Sequence, residues 1–216
     1  MIKQDTHLHS NFSDGKNSIE EMTKIAIKLG YKKIVFTDHV RTSTNWINEY
    51  IKEIKRVQKK YPEIKIYSGI EAKVIDLQGN IDAKKSFFKK VDFVLASFHR
   101  IPKGNKIYLS REEITKNKKQ VLNFWYQAII KLLENKNVDI IAHPTAILKR
   151  YKKRLPKWMK EKIAEKTKKE NKIFEISKKY KVPNKEFKKI LKNHNIQFTY
   201  GSDSHSVKEL KKYEKK

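Results

Sequence analysis

The chain has 216 residues, 38% of them hydrophobic, enough to fill the core of one domain over residues 1–216. It contains no cysteine, which excludes disulfides and thiolate metal ligands. No apolar run approaches the ~18 residues that cross a bilayer, so a membrane-spanning role is excluded too. Lys and Arg number 51 against 24 Asp and Glu, for a net charge of +27. Such a charge concentrates anionic substrates and binds nucleic acid. It can equally reflect a lysine-rich surface, and the spread of Lys along helical faces favours that reading, because only six of the basic residues are Arg. The N-terminus runs into a histidine cluster with no signal segment before it, which predicts a cytoplasmic protein.

In chain order, β-branched and aromatic runs predict strands over 2–6, 33–37, 64–70, 91–97, 138–142, 172–176 and 197–201. Helical patterns lie between them. Ser18 is a candidate N-cap, with Glu20 and Glu21 in the first turn and Gly30 as the stop. Further helices are predicted over 45–60, 112–134, 157–169 and 185–193, with a short terminal one after Val207. Strands alternating with helices imply parallel pairing through crossovers.

The strand ends choose between an open sheet and a barrel. His7 and His9, Asp38 and His39, Glu71, His99, His143, and Asp203 with His205 close or follow six of the seven strands. Only the strand over 172–176 brings no evident ligand. An open sheet would spread these groups along a line at ~4.8 Å per strand. Closure gathers them at one mouth, where β/α barrels do their chemistry. The expected fold is therefore a distorted seven-stranded β/α barrel, TIM-like. Imidazole and carboxylate donors without thiolate suit zinc, manganese or iron. His7 and His9, two apart on a strand, face the same way and can grip one ion.

Asp5-Thr6-His7-Leu8-His9, Ser13-Asp14-Gly15 and Thr37-Asp38-His39 resemble the opening motifs of the PHP (polymerase and histidinol phosphatase) family. Gly69-Ile70-Glu71, Ser97-Phe98-His99, Ala142-His143-Pro144 and Asp203-Ser204-His205 resemble its later motifs, in the same order. The resemblance implies two or three divalent ions (Zn, Mn or Fe). His7, His9, Glu71 and Asp203 would bind the first, Glu71, His99 and His143 the second, and Asp14, His39 and His205 the third. It further implies hydrolysis of a phosphate ester by a metal-activated hydroxide at a trinuclear site, with Glu71, Asp203 and His205 as catalytic residues.

Arg41, Arg100 and Arg150 fall next to the ligand positions and are the expected substrate-binding residues, since a guanidinium fork suits phosphate. Lys103, Lys106 and Tyr108 follow His99 and are further candidates by position. Asp5 and Asp38 either orient imidazoles or cap loops. His194 reads as a core or surface residue rather than a ligand, Trp125 as core, and Asp76 and Asp82 as loop and cap residues; Trp46, close after Arg41, either lines the substrate pocket or packs, with packing favoured. The segment Lys149-Arg150-Tyr151-Lys152-Lys153-Arg154 is either a solvated loop or a nucleic-acid patch. The expected partner is a small phosphate monoester, histidinol phosphate-like or a nucleoside phosphate, with no membrane partner. The alternatives are a nuclease of the same family or a non-catalytic accessory module, and the latter would lack ligands.

Overall fold

A computed structural model describes residues 3–214. Seven parallel strands form one sheet, β1 (Gln4–Leu8), β2 (Lys33–Val40), β3 (Lys65–Lys73), β4 (Phe93–Ser97), β7 (Ile140–Ala142), β8 (Ile173–Ser177) and β9 (Phe198–Gly201), adjacent in that order. All seven expected strands are present, shifted by up to a few residues; Ile2, in the first of them, lies outside the described residues. Helices α1 (Ile19–Lys28), α2 (Ile47–Lys60), α4 (Lys118–Glu134), α6 (Lys157–Lys169), α7 (Lys185–Asn193) and α8 (Val207–Glu214) surround the sheet.

The sheet curls into a nearly closed barrel. Its two end strands, β1 and β9, meet through a bridge between Leu8 and Ser204 rather than a full ladder. Side chains complete the seam. Thr6 and Thr199 hydroxyls lie 2.7 Å apart, and Asp5 accepts from the backbone N–H of His7 at 3.1 Å and of Ser202 at 3.0 Å. Burial pushes the Asp5 carboxyl up to about 6. Asp38 works similarly, accepting from the Ser10 N–H and from the hydroxyls of Ser10 and Ser13. Both therefore follow the loop-fixing alternative, holding backbone and hydroxyl groups beside the ligands.

Local sequence explains the helix ends. Ser18 and Glu21 exchange bonds as a capping box, and Gly30 turns the chain at φ 79°. The expected helix over 112–134 is two helices, α3 (Arg111–Lys116) and α4. Ser110 caps α3 with Glu113, and Asn117 leaves helical geometry to cap α4 through Gln120. A hairpin of β5 (Pro102–Gly104) and β6 (Ile107–Tyr108), and a short helix α5 (Ala146–Arg150), were not expected.

Two apolar layers result. The larger packs the outward faces of the strands under the helices, with Trp125 buried against Phe98. The smaller, Leu95, Ile140 and Ala142 with Phe93 and Ile173, fills the barrel interior. Glu71 lies in register with Leu95, Leu95 with Ile140, and Ile140 with Ile173. A carboxylate is thus set at the depth of an apolar layer, and that placement shapes the site.

Candidate metal centre

Glu71 is 1% exposed and collects imidazoles on both oxygens. His39 Nδ1, His7 Nε2 and His9 Nε2 lie 3.0, 3.3 and 3.5 Å from Oε2. His143 Nε2 and His99 Nε2 lie 3.1 and 3.3 Å from Oε1. Asp203 Oδ1 is 3.2 Å from His9 Nε2 and 3.4 Å from His205 Nδ1. Asp14 reaches His205 at 3.3 Å and His39 at 3.7 Å. All nine expected ligand positions therefore fall in one cluster at the C-terminal mouth of the barrel.

The groupings differ from those the sequence led us to expect: His7 joins Glu71 and His143, His39 joins Glu71 and His99, and His9 joins the set around Asp14. Donor atoms within 4.8 Å of one another form the sets His7–His9–Asp203, His7–Glu71–His143, His39–Glu71–His99 and His9–Asp14–His39–His205. His39 thus reaches both Glu71 and Asp14, because it stands opposite Glu71 in the β2–β3 register and leans toward the loop carrying Asp14.

The donors fit divalent ions on their own chemistry. His7 Nε2, His9 Nε2 and Glu71 Oε2 are buried, converge on each other, and have no hydrogen-bond partner among the described residues. Buried polar atoms are normally satisfied, and a buried carboxylate needs a cation. Charge in the cluster is strongly redistributed. Burial would raise the Glu71 carboxyl, but His7, His99 and His39 hold it well below the carboxylate range. Burial would likewise lower His7, yet Glu175 and Glu71 raise it well above the ordinary imidazole value. Burial pulls His9 down to about 3, the neutral form a ligand needs.

Glu175 was not anticipated. It sits on β8, the strand that offered no evident ligand, and is fully buried. Its Oε1 is 2.6 Å from His7 Nδ1, and its Oε2 accepts from the His143 N–H at 2.5 Å. It therefore fixes the His7 ring with Nε2 toward the cluster. The signal was present as a lone carboxylate inside Ile173-Phe174-Glu175-Ile176, since Glu is rarely buried without a partner. Gly201 makes room for it, because a Cβ there would lie 1.8 Å from Glu175 Oε1 and 2.7 Å from His7 Cβ. Lys179 was also missed. It donates to the Asp203 carbonyl at 2.9 Å and lies 3.2 Å from Asp203 Oδ2. It steadies a ligand held at φ 52°, just as His143 is held at φ 28°.

The three arginines line cavities that border the cluster, Arg41 in one and Arg100 and Arg150 together in another. Arg41 lines a cavity of about 520 Å³ with His39, Glu71, His99 and Trp46. Trp46 also packs on Phe12 and Tyr50. Arg150 lines a cavity of about 260 Å³ with His39, His99, His143 and Tyr180. Arg100 shares a third, of about 300 Å³, with His99 and Arg150, and its guanidinium rests 4.7 Å over the Tyr108 ring. Lys103 is taken up by Glu113 at 2.6 Å, and Lys106 sits exposed at the hairpin turn, so neither reaches the cluster. His194 pairs with Glu161 at 3.1 Å, away from the site. Asp76 and Asp82 bind loop backbone, as expected of loop residues.

A β/α barrel whose strand ends deliver a buried imidazole–carboxylate cluster has the arrangement of a metal-dependent hydrolase. The PHP domain model matches residues 5–179, and the chain belongs to that family. A Bacillus subtilis protein named DNA polymerase/3'-5' exonuclease PolX is 30% identical over 156 residues, 68% of this chain and 24% of that protein. The chain thus spans about a quarter of that relative. A protein of Caldicellulosiruptor saccharolyticus named probable phosphatase is 28% identical over 216 residues, covering 95% of this chain and 81% of its own. In fold, the chain is similar to histidinol phosphate phosphatase of Lactococcus lactis, solved with zinc, L-histidinol and phosphate. That match has a TM-score of 0.72 and 23% identity, and covers 99% of this chain and 92% of the other. Among the described residues no helix is long and apolar enough to cross a membrane.

Proposed function

We propose that residues 1–216 act as one catalytic unit, a phosphatase that hydrolyses a small phosphate monoester, histidinol phosphate-like or a nucleoside phosphate, at a trinuclear site. The observation that carries this reading is Glu71, whose two oxygens face separate sets of imidazoles at 3.0–3.5 Å with Oε2 otherwise unpartnered. In this reading His7, His9, Glu71 and Asp203 hold one ion, Glu71, His99 and His143 a second, and Asp14, His39 and His205 a third. Bound there, zinc, manganese or iron supplies an activated water and neutralises charge on the phosphoryl oxygens.

The chain's own groups do the rest. Glu71, Asp203 and His205 are the catalytic residues of this reading, and Glu175 holds the His7 ring with Nε2 toward the cluster. Arg41, Arg100 and Arg150 offer guanidinium forks to the phosphate from the cavity walls. Tyr180, its ring 5.0 Å from that of His143, is pushed up by burial and by Asp203, so it keeps its proton and can donate one hydrogen bond. The Lactococcus structure, with zinc, histidinol and phosphate, supports a small substrate. A nuclease is the second reading, favoured by the net charge of +27 and the PolX relative. A non-catalytic module is disfavoured because each of the nine ligand positions keeps a residue able to ligate.

The test is a manganese- or zinc-supplemented screen of histidinol phosphate, nucleoside monophosphates and short single-stranded oligonucleotides, with His99→Ala as control. Phosphate release from a monoester, lost in the variant, supports the phosphatase. Mononucleotide release from the oligonucleotide instead moves the chain to the nuclease reading.

A further inference from the structure

A cavity of about 580 Å³ lies outside the imidazole cluster, between the connection from β7 to α6 and the connection from β8 to α7. Its floor is apolar, made by Leu148, Leu155, Val182 and Phe187, and no Asp or Glu lines it. Its walls carry six cations. Three of them serve the fold: Lys149 donates to the carbonyls of Tyr180 and Lys181, Lys153 to that of Thr115, and Lys160 meets Glu186. The other three, Lys152, Arg154 and Lys181, are exposed, and their charged ends have no partner among the described residues. Lys152 and Lys181 both sit at φ 53°, a conformation Asn or Gly adopts at lower cost. Unpaired cations over an apolar floor match a ligand with repeated anionic groups and a flat apolar part.

The cavity also stands beside the metal centre. Helix α5 is the wall between them, with Leu148 and Lys149 facing this cavity and Ala146, Ile147 and Arg150 facing the one over His99 and His143. We propose that this cleft binds a single strand of nucleic acid, with backbone phosphates on Lys152, Arg154 and Lys181 and a base over the apolar floor. The strand's terminal phosphate is then directed across α5 toward the metal centre. That direction rests on the phosphoesterase reading above; the binding itself does not.

The experiment measures fluorescence anisotropy of a labelled single-stranded DNA of about twelve nucleotides, within the range one binding surface covers. It uses the full chain with chelator present, so that no cleavage intervenes. Lys152→Asn with Lys181→Asn removes two cations while suiting the left-handed backbone, so the fold is retained. Lys55→Gln with Lys59→Gln removes the same charge from exposed positions of α2, across the barrel. The cleft variant is expected to bind about tenfold more weakly. Its slope of log affinity against log salt should be shallower by about 1.4, because two phosphates of the strand keep their counterions, while the α2 variant stays within about twofold of the parent. Equal weakening in both variants would mean general attraction to a basic surface and would overturn the proposal, as would no weakening in either. Hydrolysis of a small monoester is measured separately with metal. If it is absent from every protein while the cleft effect persists, the phosphatase reading fails and the cleft stands.

Discussion

Two buried carboxylates divide the labour at the site. Glu71 offers its oxygens to the cluster, while Glu175 stands behind His7 at 2.6 Å and turns Nε2 forward. A ligating imidazole whose other nitrogen is fixed loses less freedom on binding metal and is a better donor. Glu175→Gln keeps the size and one acceptor but removes the charge. It is expected to weaken zinc affinity by about 10- to 100-fold with the circular dichroism spectrum unchanged. Equilibrium dialysis measures this, and parental affinity would show that Glu175 only packs. His7, Glu71 and the other motif residues could be read from the chain because their chemistry repeats in short clusters at strand ends. Glu175 could not be read with them. Its partners are 168 and 32 residues away, and nothing local marks it beyond its isolation among apolar neighbours.

At the scale of elements, the seam between β1 and β9 is the delicate place. Adjacent strands elsewhere are held by ladders, but here closure relies on Asp5, Thr6 and a single bridge beside Gly201. Gly201→Ala would drive a methyl into Glu175 and the His7 Cβ. Relief requires moving β9 away from β1 or turning Glu175 out. We expect a loss of about 1–3 kcal/mol in denaturant unfolding, of the order seen for overpacked interiors, together with weaker metal binding. If stability and metal affinity both stay parental, the seam is looser than described. Helix starts were legible because Ser18 and Glu21 close their box within one turn. The break at Asn117 was not, because residues on either side of it have helical periodicity and only the cap geometry separates them.

For the molecule as a whole, a cluster of charged and orphaned groups at the mouth means that folding and metal binding reinforce each other. Ions that bind only the folded chain stabilise it by RT ln(1 + [L]/Kd), about 4 kcal/mol at a thousandfold excess over Kd. Adding chelator should therefore lower the melting temperature by several degrees, and restoring zinc or manganese should recover it. An unchanged melting temperature would argue against bound metal. The same measurement on Glu175→Gln should show a smaller metal-dependent gain, which ties this prediction to the one at the residue scale.

The sequence by itself determined the alternation of strands and helices, and the short motifs that deliver nine donors to strand ends. Both depend on interactions within a few residues: side-chain period, capping and the two-residue spacing of His7 and His9. Barrel closure could be argued from it, since ligands at so many strand ends need a common centre. Only the tertiary structure decided how the seam closes, which imidazoles share an oxygen of Glu71, and that β8 contributes Glu175 and the turn after it Lys179. It alone set Lys152 and Lys181 around an apolar floor on the far side of α5. Those features join residues far apart in the chain, whose proximity depends on strand register and the packing of whole connections.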